Sequence, residues 1–383
     1  MKICIIHNLW GRDARGGAES VLKILVQHLQ SIGHQVVIIT TQATSKKTIF
    51  SNSDGLKVYA LSSNYLSLTK LSQWRRLVFH IIGSFNIKAY FKVQHIIKSE
   101  NPEIVWTHNL VGIGTIILRL FYKKNIRHLH NLHDIQLLHP SGLLMRGQEK
   151  LIDSFIASLY QAIQRAYLSS FSEIISPSKW LLDIHKQKGF FKNNQCQILP
   201  NPFSYNSNAR QAQFDNTKLS FTFLYVGQIE QHKGIKLLID AFIKITNQDL
   251  RLTVVGTGSL LQYVQVKNSD NRITFTGQQT PQAVAEIMER ADCLVVPSLC
   301  YENFPTVIVE AISARLPVVG SNFGGIRELI FNRDFLCEPT VEELTEKLIW
   351  AFNLREKLAD LFFSTNTNIQ KISLSKYCQK LKL

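Results

Sequence analysis

Cysteine is scarce in this sequence, and the spacing of the cysteines excludes two common kinds of structural site. The 383 residues contain six cysteines, with no Cys-x-x-Cys pair and no histidines at zinc-finger spacing. We therefore expect buried, reduced thiols rather than disulfides or a structural zinc. The sequence also has no Asp-x-Asp motif, so we expect no divalent metal held by that motif and no other cofactor.

Long hydrophobic runs are missing too. The opening residues, MKICIIHNLW, contain an apolar run that is too short for a signal-peptide core and resembles a first β-strand. The longest later stretch, LVGIGTIILRLFY, is interrupted by Arg119 and does not reach the roughly 20 residues that cross a bilayer. We expect a cytoplasmic protein, either free or bound peripherally to the inner face of the plasma membrane.

The balance of apolar and charged residues excludes a disordered chain. Apolar residues make up 45% of the sequence and charged residues 19%, which is typical of a protein with a hydrophobic core. A length of 383 residues is too great for one ordinary core, so we expect two domains of roughly 150–200 residues each.

Positive charge is concentrated in one half of the chain. The formal net charge is +15; residues 1–205 carry 24 Lys and Arg against 10 Asp and Glu, whereas residues 206–383 carry 19 against 18. A domain this basic favours a polyanionic partner, either nucleic acid or an anionic membrane. Because no RNA-binding aromatic motif or zinc finger is visible and the second half is nearly neutral, we predict no nucleic-acid partner.

Short β-branched runs alternate with helix-length segments along the chain, a pattern typical of βαβ units and parallel sheets. The polar stretch 201–219 interrupts this alternation and is the predicted linker between domains 1–203 and 204–365. The fold class is therefore α/β with two doubly wound parallel sheets, and a cleft between the domains is the expected ligand site. The predicted strands are KICIIH, HQVVIIT, LKVYAL, EIVWTHN, IRHLHNLHD, SEIISPS, SFTFLYVG, LRLTVVG, RITFTG, DCLVVPS and PVVGSN.

Two motifs of the first half follow predicted strands. Gly16 and Gly17 precede a helical pattern and would let backbone N–H groups approach an oxygen-rich ligand, although two glycines equally make an ordinary tight turn. His133 comes where the fifth strand ends, and the alternative to a functional role is a partly exposed loop histidine. Asp134 would either orient the imidazole or cap the next turn.

The second half begins with a strand that ends at Gly227, and Lys233–Gly234 follows at the start of an amphipathic helical pattern. A lysine beside a helix N-terminus is an unfavourable placement, because both are positive. A bound diphosphate would remove that conflict, so we predict phosphate binding at Lys233 rather than a solvated lysine. Gly256 and Gly258, after the next strand, lack the third glycine of a dinucleotide fingerprint and give little support for NAD.

The most specific string is VVPSLCYENFPTVIVEAISARLPVVGSNFGGIREL. Glu302 lies in a predicted loop and Glu310 on the following helix, so the first would face a developing cation or sugar hydroxyl and the second vicinal hydroxyls. Pro305 suits a first-turn position that needs no N–H donor. Backbone N–H groups that would face an anion belong to Phe304, Thr306 and Val307.

The ordered motifs GGAE, HD, VG…KG, ENFP…VEA and SNFGGI together resemble glycosyltransferase family 4 over about residues 1–345. These are retaining, sugar-nucleotide-dependent enzymes of the glycosyl transferases group 1, with a GT-B fold of two Rossmann-like domains facing each other across a cleft. The resemblance implies transfer of a sugar from a UDP or GDP sugar to an acceptor hydroxyl. It also implies that the segment 366–383 crosses back to the first domain.

The resemblance assigns a role to each matching residue. Gly16 and Gly17 would face the donor, His133 would contact the donor sugar, and Lys233 would bind the diphosphate. Glu302 would approach the transferred sugar and Glu310 the ribose. Further donor contacts would come from Gly227, Gln228, Phe304, Pro305, Thr306 and Val307. Retention is expected, with the leaving phosphate oxygen taking the acceptor proton.

One departure from the family pattern leaves alternatives open. The family commonly has an arginine after the strand-end glycine, where this sequence has Gln228. Glutamine carries no charge, so neutralisation of the diphosphate would depend more on Lys233 and helix dipoles. The alternatives are a catalytically weak partner subunit with the same fold and a sugar-nucleotide epimerase.

The segment 70–98 interleaves aromatic and basic residues and is predicted to form a helix that lies on an anionic membrane, presenting the domain to a lipid-linked or polysaccharide-precursor acceptor. The alternative is a helix whose aromatics are core and whose lysines are solvated. The candidate membrane and acceptor residues are Lys70, Trp74, Arg75, Arg76, Lys88, Lys92, Arg119, Lys123 and Lys124.

Overall fold

The computed structural model describes residues 1–11, 17–42, 48–51, 56–63, 81–122, 126–168, 172–202, 220–267, 269–366 and 373–383. The chain divides into two compact units. The first unit comprises Met1–Leu144, Gln148–Pro202 and Ile372–Leu383, and the second comprises Met145–Gly147 and Phe203–Lys371.

A mostly parallel sheet forms the centre of the first unit. Its strands are β1 (Lys2–Ile6), β2 (Gln35–Gln42), β3 (Thr48–Ser51), β4 (Lys57–Ser62), β5 (Ile104–Thr107), β6 (Arg127–Asn131), β7 (Glu173–Ser176) and β8 (Cys196–Ile198). In space they follow the order β3-β4-β2-β1-β5-β6-β7-β8, and β3 runs antiparallel to β4. Strands before β5 are added on one side of β1, and strands from β5 onward are added on its other side. We call the place between β1 and β5, where the order of strand addition changes sides, the reversal point of this sheet.

Helices cover both faces of this sheet. They are α1 (Gly17–Ser31), α2 (Ile87–Glu100), α3 (Phe155–Tyr167), α4 (Lys179–Gln187) and α12 (Leu374–Lys380), with 3-10 helices at Thr115–Phe121 and Glu149–Asp153. Ile3 and Ile5 of β1 face a cluster with α1 and α12, whereas Cys4 and Ile6 face a cluster with α2 and the first 3-10 helix. Burial on both faces explains why the strands are nearly continuous apolar runs.

The second unit contains a parallel sheet in the order β11-β10-β9-β12-β13-β14. Its strands are β9 (Phe221–Val226), β10 (Leu250–Val255), β11 (Ile273–Gly277), β12 (Cys293–Val296), β13 (Val318–Ser321) and β14 (Leu336–Cys337). Its helices are α5 (Ile235–Ile243), α6 (Leu261–Lys267), α7 (Pro281–Arg290), α8 (Thr306–Ser313), α9 (Ile326–Leu329), α10 (Val341–Asn353) and α11 (Leu358–Thr365), with 3-10 turns at Gln231–Lys233 and Arg333–Phe335. In this sheet the order of strand addition changes sides between β9 and β12. This is its reversal point, and doubly wound sheets bind ligands at such a place.

The eleven predicted strands are all present, which confirms the predicted α/β class. Among the described residues, β3, β8 and β14 were not predicted. They are short and lie at or beside a sheet edge, where fewer apolar residues are needed, so their hydrophobic pattern is weak. The predicted thiols are also confirmed: all six cysteines are free, and only Cys196 is not fully buried.

The prediction of one helix over 70–98 is wrong in its described part. Residues 81–84 are helical, but the chain leaves the helical conformation and α2 begins anew at Ile87. Asn86 causes the break, since its side chain accepts a hydrogen bond from the Ala89 N–H (3.0 Å) and donates one to the Gly112 carbonyl (3.2 Å). Residues 70–80, and the linker beyond Pro202 as far as Leu219, lie outside the described residues.

Candidate active site

Two loops of the second unit meet beside the reversal point of its sheet. The loop after β9 carries Lys233 and Gly234, and the loop after β12 begins at Pro297. Gly234 has φ +74°, and a Cβ there would lie 1.8 Å from the Pro297 carbonyl oxygen, so only glycine permits this approach. The Leu299 N–H donates to the His232 carbonyl at 2.9 Å, which fastens the two loops together.

This junction pairs two of the predicted site residues. The Lys233 Nζ lies 2.6 Å from the Glu302 Oε1. The Ser298 hydroxyl donates to the same carboxylate oxygen at 2.8 Å. The sequence predicted that Lys233 and Glu302 act on neighbouring parts of one ligand, and the structure brings both side chains to one point.

Both partners of the pair are charged. Burial would raise the pKa of Glu302, but the Lys233 charge and the hydrogen bonds from Lys233 and Ser298 outweigh it, and the pKa is lowered. Burial would lower the pKa of Lys233, yet the opposite charge of Glu302 keeps it raised. The site therefore holds an ammonium and a carboxylate at neutral pH.

A glycine pair supports the loop that carries Glu302. A Cβ on Gly325 would lie 2.0 Å from the Asn303 carbonyl oxygen, and one on Gly324 would lie 2.8 Å from the Glu302 carbonyl oxygen. The Gly325 N–H also donates to the Glu302 carbonyl at 2.6 Å. The SNFGGI motif thus holds the ENFP loop by backbone contact.

The N-terminus of α8 follows that loop. Pro305 is the N-cap residue, one position earlier than the predicted first turn, and it provides no side-chain cap. The Val307 N–H, at the second helical position, therefore lacks the acceptor that a serine or aspartate N-cap would offer, and the Thr306 N–H precedes it at the first position. Glu310, one turn on, is partly buried; burial raises its pKa, although the Thr306 side chain hydrogen-bonds to it.

The remaining predicted donor residues lie close to β9. Gly227 and Gln228 directly follow the strand; the Gln228 side chain is exposed, and its carbonyl accepts from the Tyr225 hydroxyl at 2.7 Å. A Cβ on Gly256 would lie 1.9 Å from the Gly227 carbonyl oxygen, and one on Gly258 would lie 2.3 Å from that of Ile229. These two glycines thus serve close packing of loops, which explains them without a dinucleotide.

Three histidines gather at the reversal point of the first unit's sheet. His7 follows β1, His108 follows β5 and His133 follows β6. The His108 and His133 rings stack at 5.0 Å, with the His108 Nδ1 and His133 Nε2 sharing a hydrogen bond of 2.7 Å. The His7 ring lies 5.8 Å from that of His108 and 6.0 Å from that of His133.

These histidines are neutral at pH 7. Burial lowers the pKa of His7 to about 4 and the pKa of His133 to about 3. Burial and the neighbouring His133 hold the pKa of His108 well below its usual range. Among the described residues, no group of three or more His, Cys, Asp or Glu is arranged to hold a metal ion.

Asp134 has the capping role that the sequence left open. Its Oδ1 accepts from the Gln136 N–H at 2.7 Å, and its Oδ2 accepts from the Asn109 side chain at 3.2 Å. Burial raises the pKa of Asp134 to about 7 in spite of these bonds. The charge of Glu19, in the first turn of α1, also raises the pKa of Asp134, so the helix that begins at Gly17 lies at this same edge. Gly16 lies outside the described residues.

The predicted membrane residues are described only in part. Lys88 and Lys92 are exposed on α2, and Arg119 is exposed on the 3-10 helix. Outside the described residues lie Lys70, Trp74, Arg75, Arg76, Lys123 and Lys124. In the part of the chain that the structure describes, no helix combines the length and apolarity that crossing a membrane requires.

Sequence reasoning missed several residues of these sites. His7 and His108 each directly follow a strand, and His133 lies two residues after one, so a comparison of the three strand ends would have found them. Ser298 was missed because one serine in a loop carries no pattern. The structure also adds residues 145–147 to the second unit: Met145 bridges Cys300, and the Arg146 guanidinium contacts the Tyr301 hydroxyl at 3.2 Å.

Two protein-family models match the chain, and together they cover most of it. The family described as Glycosyl transferases group 1 matches residues 207–362. The family described as Glycosyltransferase Family 4 matches residues 15–205.

Individual proteins are similar over most of their length. An uncharacterised 42.6 kDa protein in the cps region of Klebsiella pneumoniae is 26% identical over 341 residues, which is 86% of this chain and 87% of that protein. The sucrose-phosphate synthase of Thermosynechococcus elongatus superposes with a TM-score of 0.75 at 18% identity, covering 100% of this chain and 97% of that one. Anabaena HepE in complex with UDP-glucose gives 0.69 at 17% identity, covering 100% and 98%.

Proposed function

The chain belongs to the glycosyl transferases group 1, with a Glycosyltransferase Family 4 first half and a GT-B fold, and from this premise we propose that it moves a sugar from a nucleoside diphosphate donor to an acceptor hydroxyl with retention of configuration. The observation that carries the proposal is the Lys233–Glu302 pair at the reversal point of the second sheet, beside the uncapped N-terminus of α8. In this proposal the ammonium meets the diphosphate and the carboxylate meets the sugar.

The local electrostatics support a diphosphate at this point. Lys233 keeps its charge because Glu302 raises its pKa, so it offers a charge-assisted hydrogen bond to a phosphate oxygen. The Thr306 and Val307 N–H groups stand at the positive end of the α8 dipole. As the glycosidic bond breaks, negative charge grows on the leaving diphosphate, and fixed donors of this kind stabilise it.

The two glutamates would recognise the rest of the donor. Glu302 is ionised and held by Lys233 and Ser298, so it is a rigid acceptor for sugar hydroxyls. Glu310 lies one turn into the helix whose N-terminus meets the phosphate, which suits hydrogen bonds to the ribose hydroxyls.

His133 would bind the donor sugar as a neutral imidazole. With a pKa of about 3 it is uncharged at pH 7, so it forms hydrogen bonds without acting as a general acid. The leaving phosphate oxygen would then take the acceptor proton. The donor needs no divalent metal in this proposal, because Lys233 and helix N-termini provide the positive charge.

The acceptor is proposed to be a lipid-linked or polysaccharide precursor at the cytoplasmic face of a membrane. Support comes from the charge of residues 1–205 and from the exposed Lys88, Lys92 and Arg119.

The donor is tested by thermal unfolding with a panel of UDP, GDP and their sugars. A ligand at 100 times its dissociation constant stabilises the folded state by about 2.7 kcal/mol, so the correct nucleotide raises the melting temperature while others do not. If no nucleoside diphosphate produces a shift, the proposed donor class is wrong.

The role of Lys233 is tested with Lys233→Met, Glu302→Gln and the double variant. Loss of the ammonium is expected to lower kcat/KM by about 10²–10³-fold. The double variant should regain thermal stability, because no unpaired charge remains, without regaining turnover. Lys244→Met with Glu342→Gln removes an exposed ion pair of the same unit and serves as the control. Activity within a few-fold of the native chain in Lys233→Met would contradict the proposal.

Gln228 motivates the two alternatives, a weak partner subunit and an epimerase. Gln228→Arg adds an exposed charge at the end of β9 and is expected to tighten donor binding several-fold in an active transferase. An inactive subunit stays inactive after the change. Product analysis with and without acceptor separates out the epimerase, which needs no acceptor.

A further inference from the structure

Helix α3 buries a polar face and exposes an apolar face, which is the opposite of an ordinary amphipathic helix. Its buried face is centred on Gln164 and includes Gln161, Tyr160 and Tyr167, whereas its outward face is apolar apart from Ser158 and the half-buried Arg165 at its margin. Phe155 is 84% exposed and Leu159 is 58% exposed. The other outward residues are Ile156, Ala162, Ile163 and Ala166.

Hydrogen bonds fix this orientation. The Gln161 Nε2 donates to the Leu138 carbonyl at 3.1 Å and to the Ile152 carbonyl at 2.8 Å. The Gln164 Nε2 donates to the Ser84 hydroxyl at 3.0 Å, and the Tyr160 hydroxyl donates to the Gln136 carbonyl at 2.8 Å. Turning the apolar face inward would leave these buried polar groups without partners, so the helix cannot rotate to hide Phe155 and Leu159.

The neighbouring elements enlarge this apolar surface. The 3-10 helix Thr115–Phe121 contacts both α2 and α3, and the Phe85 ring packs against the Tyr167 ring at 5.7 Å. Phe91, on the outward side of α2, is 60% exposed. We name as the docking face the outward sides of α2, this 3-10 helix and α3.

The charge of the docking face has one sign. Lys88, Lys92 and Lys98 are exposed on α2, and Arg119 is exposed between α2 and α3. Neither α3 nor the 3-10 helix Thr115–Phe121 contains an acidic residue, and Asp153, just before α3, is paired with Lys188. Glu100, the one acid of α2, is buried and paired with Lys2 and Lys57.

We propose that the docking face binds an anionic lipid bilayer, with Phe155, Ile156 and Leu159 of α3 entering the interface and the α2 lysines contacting lipid headgroups. Aromatic and aliphatic side chains beside cations are the features that hold a surface helix in such an interface. The proposal deepens the proposed function and rests on its lipid-linked acceptor. The element proposed to enter the membrane interface is α3, whereas the sequence predicted the segment 70–98.

Charge favours a bilayer over a second copy of the chain. A two-fold dimer through this face would place Lys88, Lys92 and Arg119 of one copy against a face of the other copy that carries the same cations. Like charges across an interface oppose association, whereas anionic headgroups neutralise them.

The test measures sedimentation of the full chain with phosphatidylcholine vesicles, with and without phosphatidylglycerol, at low and high salt. Bound protein should rise with phosphatidylglycerol and fall with salt. Phe155→Ser with Leu159→Ser should lower the partition coefficient at least tenfold, because two apolar side chains lose their burial. Tyr263→Ser with Val266→Ser, on exposed positions of α6, is the matched control and should change little.

Charge is tested separately. Lys88→Glu with Lys92→Glu should lower binding to the anionic vesicles at least tenfold at low salt and much less at high salt. The matched control, Lys23→Glu with Lys376→Glu, makes the same change in net charge on α1 and α12, which pack on the opposite side of the sheet.

Several results would overturn the proposal. One is vesicle binding that does not depend on lipid charge, and a second is a loss of binding in the control pairs as large as that in the test pairs. A third is a concentration-dependent increase in mass that Phe155→Ser with Leu159→Ser abolishes, because this result indicates self-association. The nucleotide thermal shift is measured on the same samples. If the shift is present and vesicle binding is absent, docking is wrong and sugar transfer stands; the reverse leaves docking standing and sugar transfer wrong.

Discussion

The two units present different chemistry at the same topological place. At the reversal point of the first sheet stand three neutral histidines, His7, His108 and His133. At that of the second sheet stands an ion pair, Lys233 with Glu302. Eleven of the twelve histidines lie before residue 206, and His232 is the exception. One fold thus carries two kinds of polar site, which differ in how each side chain tolerates burial.

At its reversal point the first unit avoids buried charge, whereas at its own reversal point the second unit pairs opposite charges. His7 is buried and His133 is half-buried, and both stay neutral because their pKa values fall, so no opposite charge is needed. Lys233 and Glu302 stay charged because each is the other's partner. The comparison predicts that a change in pH alters mainly the stability of the first unit, and that a change in backbone geometry alters mainly the stability of the second.

The largest effect should come from acid, acting on the first unit. The folded-state pKa values of buried His7, His130 and His185 are about 4, so the unfolded chain binds more protons than the folded chain between pH 6.5 and 4. The free energy of unfolding therefore decreases as the pH is lowered through that range. Each contributes about 2 kcal/mol of destabilisation at pH 5. Asp134, whose pKa is raised to about 7, opposes this but is a single group.

Hydrogen exchange followed peptide by peptide measures this difference. The first unit should lose protection at a higher pH than the second. His185→Leu, away from the His133 ring, should reduce proton uptake on unfolding by about one. Simultaneous loss of protection in both units would remove the contrast.

A smaller effect is expected from Gly234→Ala in the second unit. The added Cβ meets the Pro297 carbonyl and the φ of +74° is unfavourable, so we expect about 3 kcal/mol of destabilisation together with loosening of the Lys233 loop. Gly277→Ala is the control, because Gly277 has a similar φ of +70° with nothing within 4 Å, and about 1 kcal/mol is expected there. Chemical denaturation measures both; equal losses would show that contact with Pro297 is unimportant.

The smallest effect tests His108 as a positioning residue for His133. His108→Phe keeps a ring between Trp106 and His133 but removes the 2.7 Å hydrogen bond. We expect kcat to fall about tenfold while the donor dissociation constant stays unchanged, because orientation rather than binding is lost. His185→Leu should leave kcat unaltered. A matching rise in the dissociation constant would instead indicate a binding role.

Much of the fold was readable from sequence for a simple reason. Strands buried on both faces, such as β1 and β9, are continuous apolar runs, and α5 places Ile235, Leu238, Ile239 and Phe242 at helical spacing, where all four are buried. Edge strands lack that signal. The break at Asn86 was missed because capping depends on one side chain within a pattern that otherwise favours helix.

The site was only partly readable. Lys233 and Glu302 were each identified from their position after a strand, but their direct pairing depends on how closely two loops approach. Gly256 and Gly258 looked like possible ligand contacts and instead make room for the loop after β9. A glycine that contacts a ligand and a glycine that allows close packing of loops cannot be distinguished from the sequence.

The sequence by itself determined the alternation of strands and helices, the basic first half and the order of motifs at strand ends, because these depend on local residue patterns. Only the tertiary structure decided which strand ends are neighbours, and therefore that His108 meets His133 and that Lys233 meets Glu302. It alone decided that the apolar side of α3 faces outward. The reason is that strand order, loop approach and buried hydrogen bonds join residues far apart in the chain, and no local pattern records which of them will meet.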